Sequence, residues 1–230
     1  MISACFTNFN RTDLLFNAIE PFLADERVSE IVISDDCSRD DVYQTVLWKY
    51  NHVSKVKIYR NETNLDCYRN KKQAVSLATN EWVLILDSDN TFSKGFIDAI
   101  FSQQEWNITW AYAPEWARPH FNFLPLSGVA ISRNNVASIL PNGNCETMLN
   151  AMNYFVNREE FLRVWDGSVD PITSDSIFHN YNWLKAGNTI YVTPGLQYDH
   201  QVHSGSHYQN NVSRTPRGFH DSIIQKLKSL

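Results

Sequence analysis

The sequence predicts an α/β fold in which a mostly parallel central sheet is flanked by helices. Short apolar runs alternate with amphipathic segments through the first half, at the spacing of strand–helix–strand crossover units. Residues 82–86 (WVLIL) form a continuous apolar run, which is typical of a strand buried on both faces. Beyond residue 104 the pattern is mixed, so we expect an α+β second half.

Each element of the first half follows from a local signal. Apolar or β-branched runs predict strands at residues 2–6, 31–33, 56–59 and 82–86. Capping residues followed by apolar positions at helical spacing predict helices that begin near residues 12, 38, 67 and 93, the last three ending near 50, 78 and 104.

The second half gives weaker signals. Strand-like pieces lie near residues 108–113, 128–131 and 189–192, and a capping box at 157–160 opens a short helix. A helix over 174–186 ends at Gly187, residues 204–218 predict a mobile loop, and 221–230 predict a terminal helix. No linker composition appears, so we expect one domain over residues 1–230.

Composition narrows the function classes. The 230 residues carry 20 basic and 25 acidic side chains, and this net charge of -5 argues against nucleic acid as the partner. The four cysteines are far apart in the sequence, which indicates free thiols in a reducing compartment. No apolar run approaches the ~20 residues that span a bilayer, and no signal peptide is recognisable, so we expect a cytoplasmic protein.

Two carboxylates follow the most apolar strand directly. Asp87 and Asp89 are spaced i, i+2 at a strand end, where ligands bind in open parallel sheets. Carboxylate oxygens suit Mg²⁺ or Mn²⁺, ions that also accept phosphate oxygens. A solvated acidic turn is the alternative, but the position after an isolated apolar strand favours the metal.

Asp35 and Asp36 occupy the equivalent position after the second strand. They could accept hydrogen bonds from a nucleobase imide or a ribose hydroxyl. Alternatively, Asp36 and Ser38 could cap the following helix. The sequence leaves both roles open.

The polar stretch 64–72 (NLDCYRNKK) opens the third helix. A helix N-terminus with nearby Arg and Lys side chains suits a diphosphate or a base carbonyl. For Lys71 and Lys72, however, a solvated helix face is the favoured interpretation.

Three histidines, His200, His203 and His207, lie within residues 199–207. A neutral imidazole is a common metal ligand, and the Gly and Ser residues around these histidines would let the chain adapt to an ion. We therefore expect this segment to complete a site begun by Asp87 and Asp89.

Asp175 begins the helix that ends at Gly187. It could interact with the helix dipole or, in a cleft, take a proton from a hydroxyl nucleophile. Among the tryptophans, Trp116 in the loop PEWAR is a candidate for stacking on the ring of a ligand, although core packing is the commoner role.

Five segments in order resemble motifs of glycosyltransferase family 2, which has the nucleotide-binding GT-A fold, and the similarity runs over about residues 2–207. The segments are TNFNR (7–11), DDCS (35–38), the stretch from Asn64 to Asn70, DSD (87–89) and WLKAG (183–187).

The resemblance implies transfer of a sugar from a nucleoside-diphosphate-sugar donor to an acceptor hydroxyl, usually with inversion, and a divalent Mn²⁺ or Mg²⁺. A glycan, a lipid-linked molecule or a small molecule would each fit as acceptor. It also implies a nucleotide-sugar half (1–104), an acceptor-side half (105–203), and a segment (204–230) that closes over the donor. By position, it assigns the donor nucleotide to Thr7, Asn10, Arg11, Asp35, Asp36, Asn64, Arg69 and Ser88, the metal to Asp87, Asp89 and His203 or His200, the base to Asp175, and the acceptor side to Trp183 besides Trp116.

Two positions depart from the family pattern. Asp175 lies between two serines where the family often has Glu-Asp, and Asn182 stands where an Arg is common. A metal-dependent phosphohydrolase of nucleotide-sugars and an inactive relative that binds sugar or nucleotide are the alternative functions. The presence of both DSD carboxylates and His203 argues against the inactive relative, whereas a phosphohydrolase could use the same residues.

Overall fold

The structure, a computed structural model, describes the backbone of all 230 residues and every side chain except those of His207 and Tyr208. It contains one nine-stranded sheet, in which eight strands run in the order β3-β2-β1-β4-β8-β5-β9-β7 and β6 pairs with β5. The strands are β1 (Ile2–Asn8), β2 (Val28–Asp35), β3 (Val56–Arg60), β4 (Trp82–Asp87), β5 (Trp110–Arg118), β6 (Phe121–Asn122), β7 (Ala130–Ile131), β8 (Phe155–Asn157) and β9 (Thr189–Asp199).

Helices cover the sheet and follow most of the strands. They are α1 (Asp13–Ala24), α2 (Asp40–Tyr50), α3 (Asp66–Leu77), α4 (Lys94–Phe101), α5 (Val136–Ile139), α6 (Cys145–Leu149), α7 (Arg158–Val164), α8 (Asp175–Lys185), α9 (His207–Asn211) and α10 (Phe219–Lys228). No helix in the described part of the chain is both long and apolar enough to cross a bilayer.

The first half has the predicted parallel arrangement. Strands β3, β2, β1 and β4 are parallel neighbours, and every residue of β1 is buried. The register sets Asn8 beside Asp35 and Thr7 beside Asp87. The polar ends of three strands therefore meet at one edge of the sheet.

The second half is mixed, as expected, because the three short strands β6, β7 and β8 run antiparallel to their neighbours. Strand β8, which the sequence pattern did not predict, lies antiparallel between β4 and β5. Strand β9 runs parallel to β5 and is longer than the predicted 189–192. Beyond β4, residues Thr91 and Asp199 exchange two backbone hydrogen bonds of 2.9 and 2.8 Å. This bridge brings the segment after β9 next to the loop after β4.

Helix boundaries follow the predicted caps with two differences. The side chain of Asn157 accepts a hydrogen bond from the Glu160 amide at 3.1 Å, as the capping signal indicated, and α8 ends before Gly187, whose φ is +93°. Helix α4 ends at Phe101 rather than near 104. The segment 204–218 is not an irregular loop, because it contains α9 and a 3₁₀ turn over Val212–Arg214.

An aromatic cluster supports the loop after β4. Phe6 on β1, Phe22 on α1 and Phe92 pack edge to face, with ring centroids 5.4 to 6.4 Å apart. Phe96 on α4 lies 5.0 Å from Phe92 in the same manner. Such pairs contribute about 0.5–1.5 kcal/mol each beyond area burial, so the cluster anchors the chain directly after the DSD segment.

We expect Phe22→Ala to lower the free energy of unfolding by about 3–5 kcal/mol, because a fully buried ring would leave a cavity. Urea denaturation measures this change. Trp48→Ala removes a larger ring that is 79% exposed and should change stability by less than about 0.5 kcal/mol. Equal losses in the two variants would contradict the assignment of this core.

Candidate active site

A cleft of about 1060 Å³ opens at the carboxyl ends of β1, β2 and β4. This is the edge at which parallel sheets bind ligands. The structure brings residues from distant parts of the chain together there. Of the residues predicted from the sequence, Thr7, Arg11, Asp36, Asn64, Asp87, Asp89, Asp175 and His200 line the cleft.

Asp89 is contacted by two cationic or basic side chains. The Nε2 atom of His203 lies 3.0 Å from Asp89 Oδ2, and Nη2 of Arg11 lies 2.9 Å from the same oxygen. The Thr91–Asp199 bridge explains this approach, since it carries residues 200–203 to the DSD loop. The expected meeting of an imidazole with the DSD carboxylates is therefore present in the structure.

Lys71 joins Asp175 to the DSD segment. Its Nζ lies 2.7 Å from Asp175 Oδ2 and 3.5 Å from Asp87 Oδ1. Burial lowers the pKa of Lys71, but the charges of Asp175 and Asp87 outweigh it and hold that pKa well above its ordinary value. The prediction of a solvated face was wrong for Lys71, which is 3% exposed, and correct for Lys72, which is exposed.

Asp87 is also hydrogen-bonded to Asn153, a residue that the sequence analysis did not predict in the site. Its amide donates to Asn153 Oδ1 at 3.0 Å, and Asn153 Nδ2 donates back to Asp87 Oδ2 at 3.4 Å. Burial raises the pKa of Asp87, with Lys71 opposing and Asp89 reinforcing the shift. No local pattern marks Asn153, because its role depends on the unpredicted strand β8.

Asp36 lines the cleft beside the end of β2. Its Oδ1 accepts hydrogen bonds from the Leu65 amide at 2.7 Å and from Asn61 Nδ2 at 2.9 Å, and Asn64 donates to its backbone carbonyl at 3.2 Å. Burial raises the pKa of Asp36 although these hydrogen bonds lower it. A carboxylate at this position suits a nucleobase N–H or a ribose hydroxyl.

Three residues that were predicted to bind the donor nucleotide instead stabilise the loops around the cleft through hydrogen bonds. Asp35 is fully buried and accepts three hydrogen bonds: from the Ser38 amide at 2.9 Å, from the Ser38 hydroxyl at 2.7 Å and from Asn8 at 3.2 Å. Asn10 has φ +54° and accepts from the Arg39 amide at 2.8 Å. Ser88 is fully buried and accepts from Arg11 at 3.4 Å, so it orients Arg11.

The placement of Arg69 and of both tryptophans differs from expectation. The Arg69 side chain is half exposed and lies 3.8 Å from Asp170, on a face of α3 that does not line the cleft. Trp183 is fully buried and donates to the Thr189 carbonyl at 2.8 Å, so it belongs to the core. Trp116 lies on β5 outside the cleft lining.

His200 lines the cleft without a hydrogen bond to either DSD carboxylate among the described contacts. Its ring packs 5.7 Å from His120 and 5.1 Å from Phe121, measured between centroids. Burial lowers the pKa of His200, which favours a neutral ring. The side chain of His207 lies outside the described residues.

The chemistry of the cleft fits a divalent cation, although no described group of three His, Cys, Asp or Glu side chains has the spacing of a formed metal site. Two carboxylates and an imidazole are suitable ligands for Mn²⁺ or Mg²⁺. Asn8 and Asn90 also line the cleft, and each has a buried side-chain oxygen without a described partner. Such oxygens are accounted for when water or a ligand completes the site.

The backbone before Asp175 adopts an unusual conformation. Ile172 has φ +51°, a left-handed value that is costly for a β-branched residue. The next hydroxyl, of Thr173, lies 2.6 Å from that of Thr215, and the chain then enters α8. A residue within the segment predicted to be mobile, Thr215, therefore contacts the chain directly before this helix.

Sequence comparison finds similarity to known proteins in the first half of the chain. A family model described as Glycosyl transferase family 2 matches residues 3–109. Abequosyltransferase RfbV of Salmonella typhimurium is 31% identical over 98 residues, which is 41% of this chain and 29% of that protein. The match thus spans less than a third of the relative.

Structural comparison extends over nearly the whole chain. S. aureus TarS 1-349 in complex with UDP-GlcNAc has a TM-score of 0.68 at 15% identity, covering 90% of this chain and 60% of that chain. Mannosyltransferase PcManGT from Pyrobaculum calidifontis in complex with GDP-Man and Mn²⁺ has a TM-score of 0.64 at 14% identity, covering 99% and 68%. At these identities the likeness shows the fold alone. Residues 3–109 are therefore similar to glycosyltransferase family 2, and the chain has the GT-A fold of these structures.

Proposed function

We propose that this chain transfers a sugar from a nucleoside-diphosphate-sugar donor to an acceptor hydroxyl, with inversion and with Mn²⁺ or Mg²⁺. One observation carries the proposal: His203 Nε2 lies 3.0 Å from Asp89 Oδ2, although 114 residues separate them. The similar structures with UDP-GlcNAc and with GDP-Man and Mn²⁺ support the same donor class.

The donor would lie along the strand ends of the first half. Asp36, Thr7 and Asn64 line the nucleoside end, and Asp36 has the carboxylate that a base or ribose donor group requires. Asp87, Asp89 and His203 would hold the cation. When bound, the cation supplies positive charge that stabilises the departing nucleoside diphosphate.

Asp175 would act as the general base. An acceptor hydroxyl gives its proton to this carboxylate while its oxygen bonds to the anomeric carbon and the bond to the diphosphate breaks. Lys71 holds Oδ2 of Asp175 at 2.7 Å and so fixes the base relative to Asp87. A single displacement of this kind inverts the anomeric centre.

The three parts of the chain would each have a separate role in sugar transfer. Residues 1–104 bind the donor, and residues 105–203 form the acceptor side, where Thr147, Asn150 and Ser176 line the cleft. Residues 204–230 cover the donor and exclude water, supported by the 3.2 Å contact between Arg214 and Asp66. We also place the protein in the cytoplasm, because its cysteines are free thiols.

Asp89→Asn should abolish the increase in UDP or GDP affinity that Mn²⁺ produces, since the cation would lose a charged ligand. Thermal shift with each nucleotide, with and without Mn²⁺, measures this by mass action. Asp98→Asn removes a carboxylate paired with Arg27 and Lys94 and serves as the matched control. A Mn²⁺-dependent shift in Asp89→Asn equal to that of the parent would refute the metal assignment.

Asp175→Asn should lower sugar transfer by about 10²–10⁴-fold, because the base is lost, and leave donor binding largely intact. Chromatography of products from a panel of acceptors and from water alone measures transfer and separates it from hydrolysis. Asp221→Asn, an exposed first-turn substitution on α10, is the control. Transfer at the parental rate would show that the base is another group, and hydrolysis without transfer would identify a phosphohydrolase.

A further inference from the structure

Arg11 occupies a position that a bound cation would need. It lies in the loop between β1 and α1, with its side chain 16% exposed. Its Nη2 lies 2.9 Å from Asp89 Oδ2 and donates to the Gly205 carbonyl at 3.2 Å, while Nη1 donates to Ser88 at 3.4 Å. The guanidinium thus connects the DSD loop to the segment after β9.

The same carboxylate oxygen is shared with His203. Its Nε2 lies 3.0 Å from Asp89 Oδ2, so an ion bound by both residues would sit close to that oxygen. A metal–ligand distance of about 2.0–2.2 Å would bring a divalent ion close to the guanidinium on the same oxygen, and the two positive charges would repel. Arg11 and the cation therefore compete for Asp89.

The charged groups paired with or next to the DSD carboxylates indicate where Arg11 would go. Asp87, Asp89 and Asp175 carry three negative charges, and Arg11 with Lys71 carries two positive charges. These groups together carry a net negative charge. A divalent cation would make that net charge positive, and a bound diphosphate would offset it. Lys71 is 3% exposed and held at 2.7 Å by Asp175, whereas the Arg11 side chain is 16% exposed, so Arg11 is the one of these two side chains that is able to move.

We infer that Arg11 holds the cation's place on Asp89 in the free protein and exchanges onto the donor diphosphate when the cation binds. This inference rests on the proposed function. A guanidinium is suited to both partners, because its fork of N–H donors matches carboxylate and phosphate oxygens alike. Arg11 is thus a positioning residue in the free state and a donor-binding residue in the complex.

The exchange predicts opposite effects of one substitution. Arg11→Gln should bind Mn²⁺ alone at least about 3-fold more tightly than the parent, because a competing charge is gone. With saturating Mn²⁺, its affinity for UDP or GDP, whichever the parent binds better, should fall about 10- to 100-fold, the cost of a lost charged hydrogen bond. Electron paramagnetic resonance of free Mn²⁺ and calorimetry measure the two affinities.

Two further variants test whether a gain in Mn²⁺ affinity comes from the loss of Arg11 from Asp89 or from the loss of any positive charge in the cleft. Arg214→Gln removes the same charge from the same cleft, but Arg214 pairs with Asp66 at 3.2 Å rather than with Asp89. Its Mn²⁺ affinity should stay within about 2-fold of the parent, because Coulomb attraction weakens with distance and screening. Arg11→Lys keeps the charge and should return Mn²⁺ affinity towards the parental value.

The outcomes distinguish the inference from the proposed function. An equal gain in Mn²⁺ affinity in Arg11→Gln and Arg214→Gln, or no gain in Arg11→Gln, overturns the exchange while the parental Mn²⁺ site stands. A parental protein that binds no Mn²⁺ overturns the proposed metal site, and the inference with it. Unchanged nucleotide affinity in Arg11→Gln also overturns the exchange.

Discussion

An ammonium buried between two carboxylates holds the two sides of this cleft in one arrangement. Lys71 comes from α3, Asp87 from the end of β4 and Asp175 from the start of α8, and their charged groups meet within 3.5 Å. Buried charges are tolerated only when paired, and loss of one partner leaves the others uncompensated at a cost of about 3–5 kcal/mol. The position of Asp175, the proposed base, is therefore coupled to that of Asp87 at the end of β4.

The neighbouring residues Arg69 and Lys71 show how far the sequence could predict this site. The family pattern favours Arg69 as a ligand-binding residue, yet its side chain is half exposed, and Lys71 is buried. Two helical positions apart, the side chains point in directions about 200° apart, so packing decides which one enters the cleft. The signal was present, because Tyr68, Lys71 and Val75 form one buried stripe at helical spacing.

The fold was predictable where contacts are local and where strands are long. The parallel half follows from apolar runs and caps, and the DSD loop lies at the predicted sheet edge. Strand β8 has only Phe155 to Asn157, and its pairing with β4 is set by tertiary packing that no short window contains. Asn153 was missed for the same reason. The approach of His203 to Asp89 was expected because the order of motifs carried long-range information that periodicity lacks.

The left-handed backbone at Ile172 has a consequence for engineering this protein. A side chain branched at Cβ is unfavourable in that conformation, by about 1–3 kcal/mol. Glycine or asparagine would reduce this cost, so we expect a search for heat-resistant variants to find substitutions at this position. Ile172 also lies three residues before Asp175, the first residue of α8. Because strain near a reactive group can serve its placement, we expect a more heat-resistant variant obtained there to place Asp175, the proposed base, less accurately and to transfer sugar more slowly.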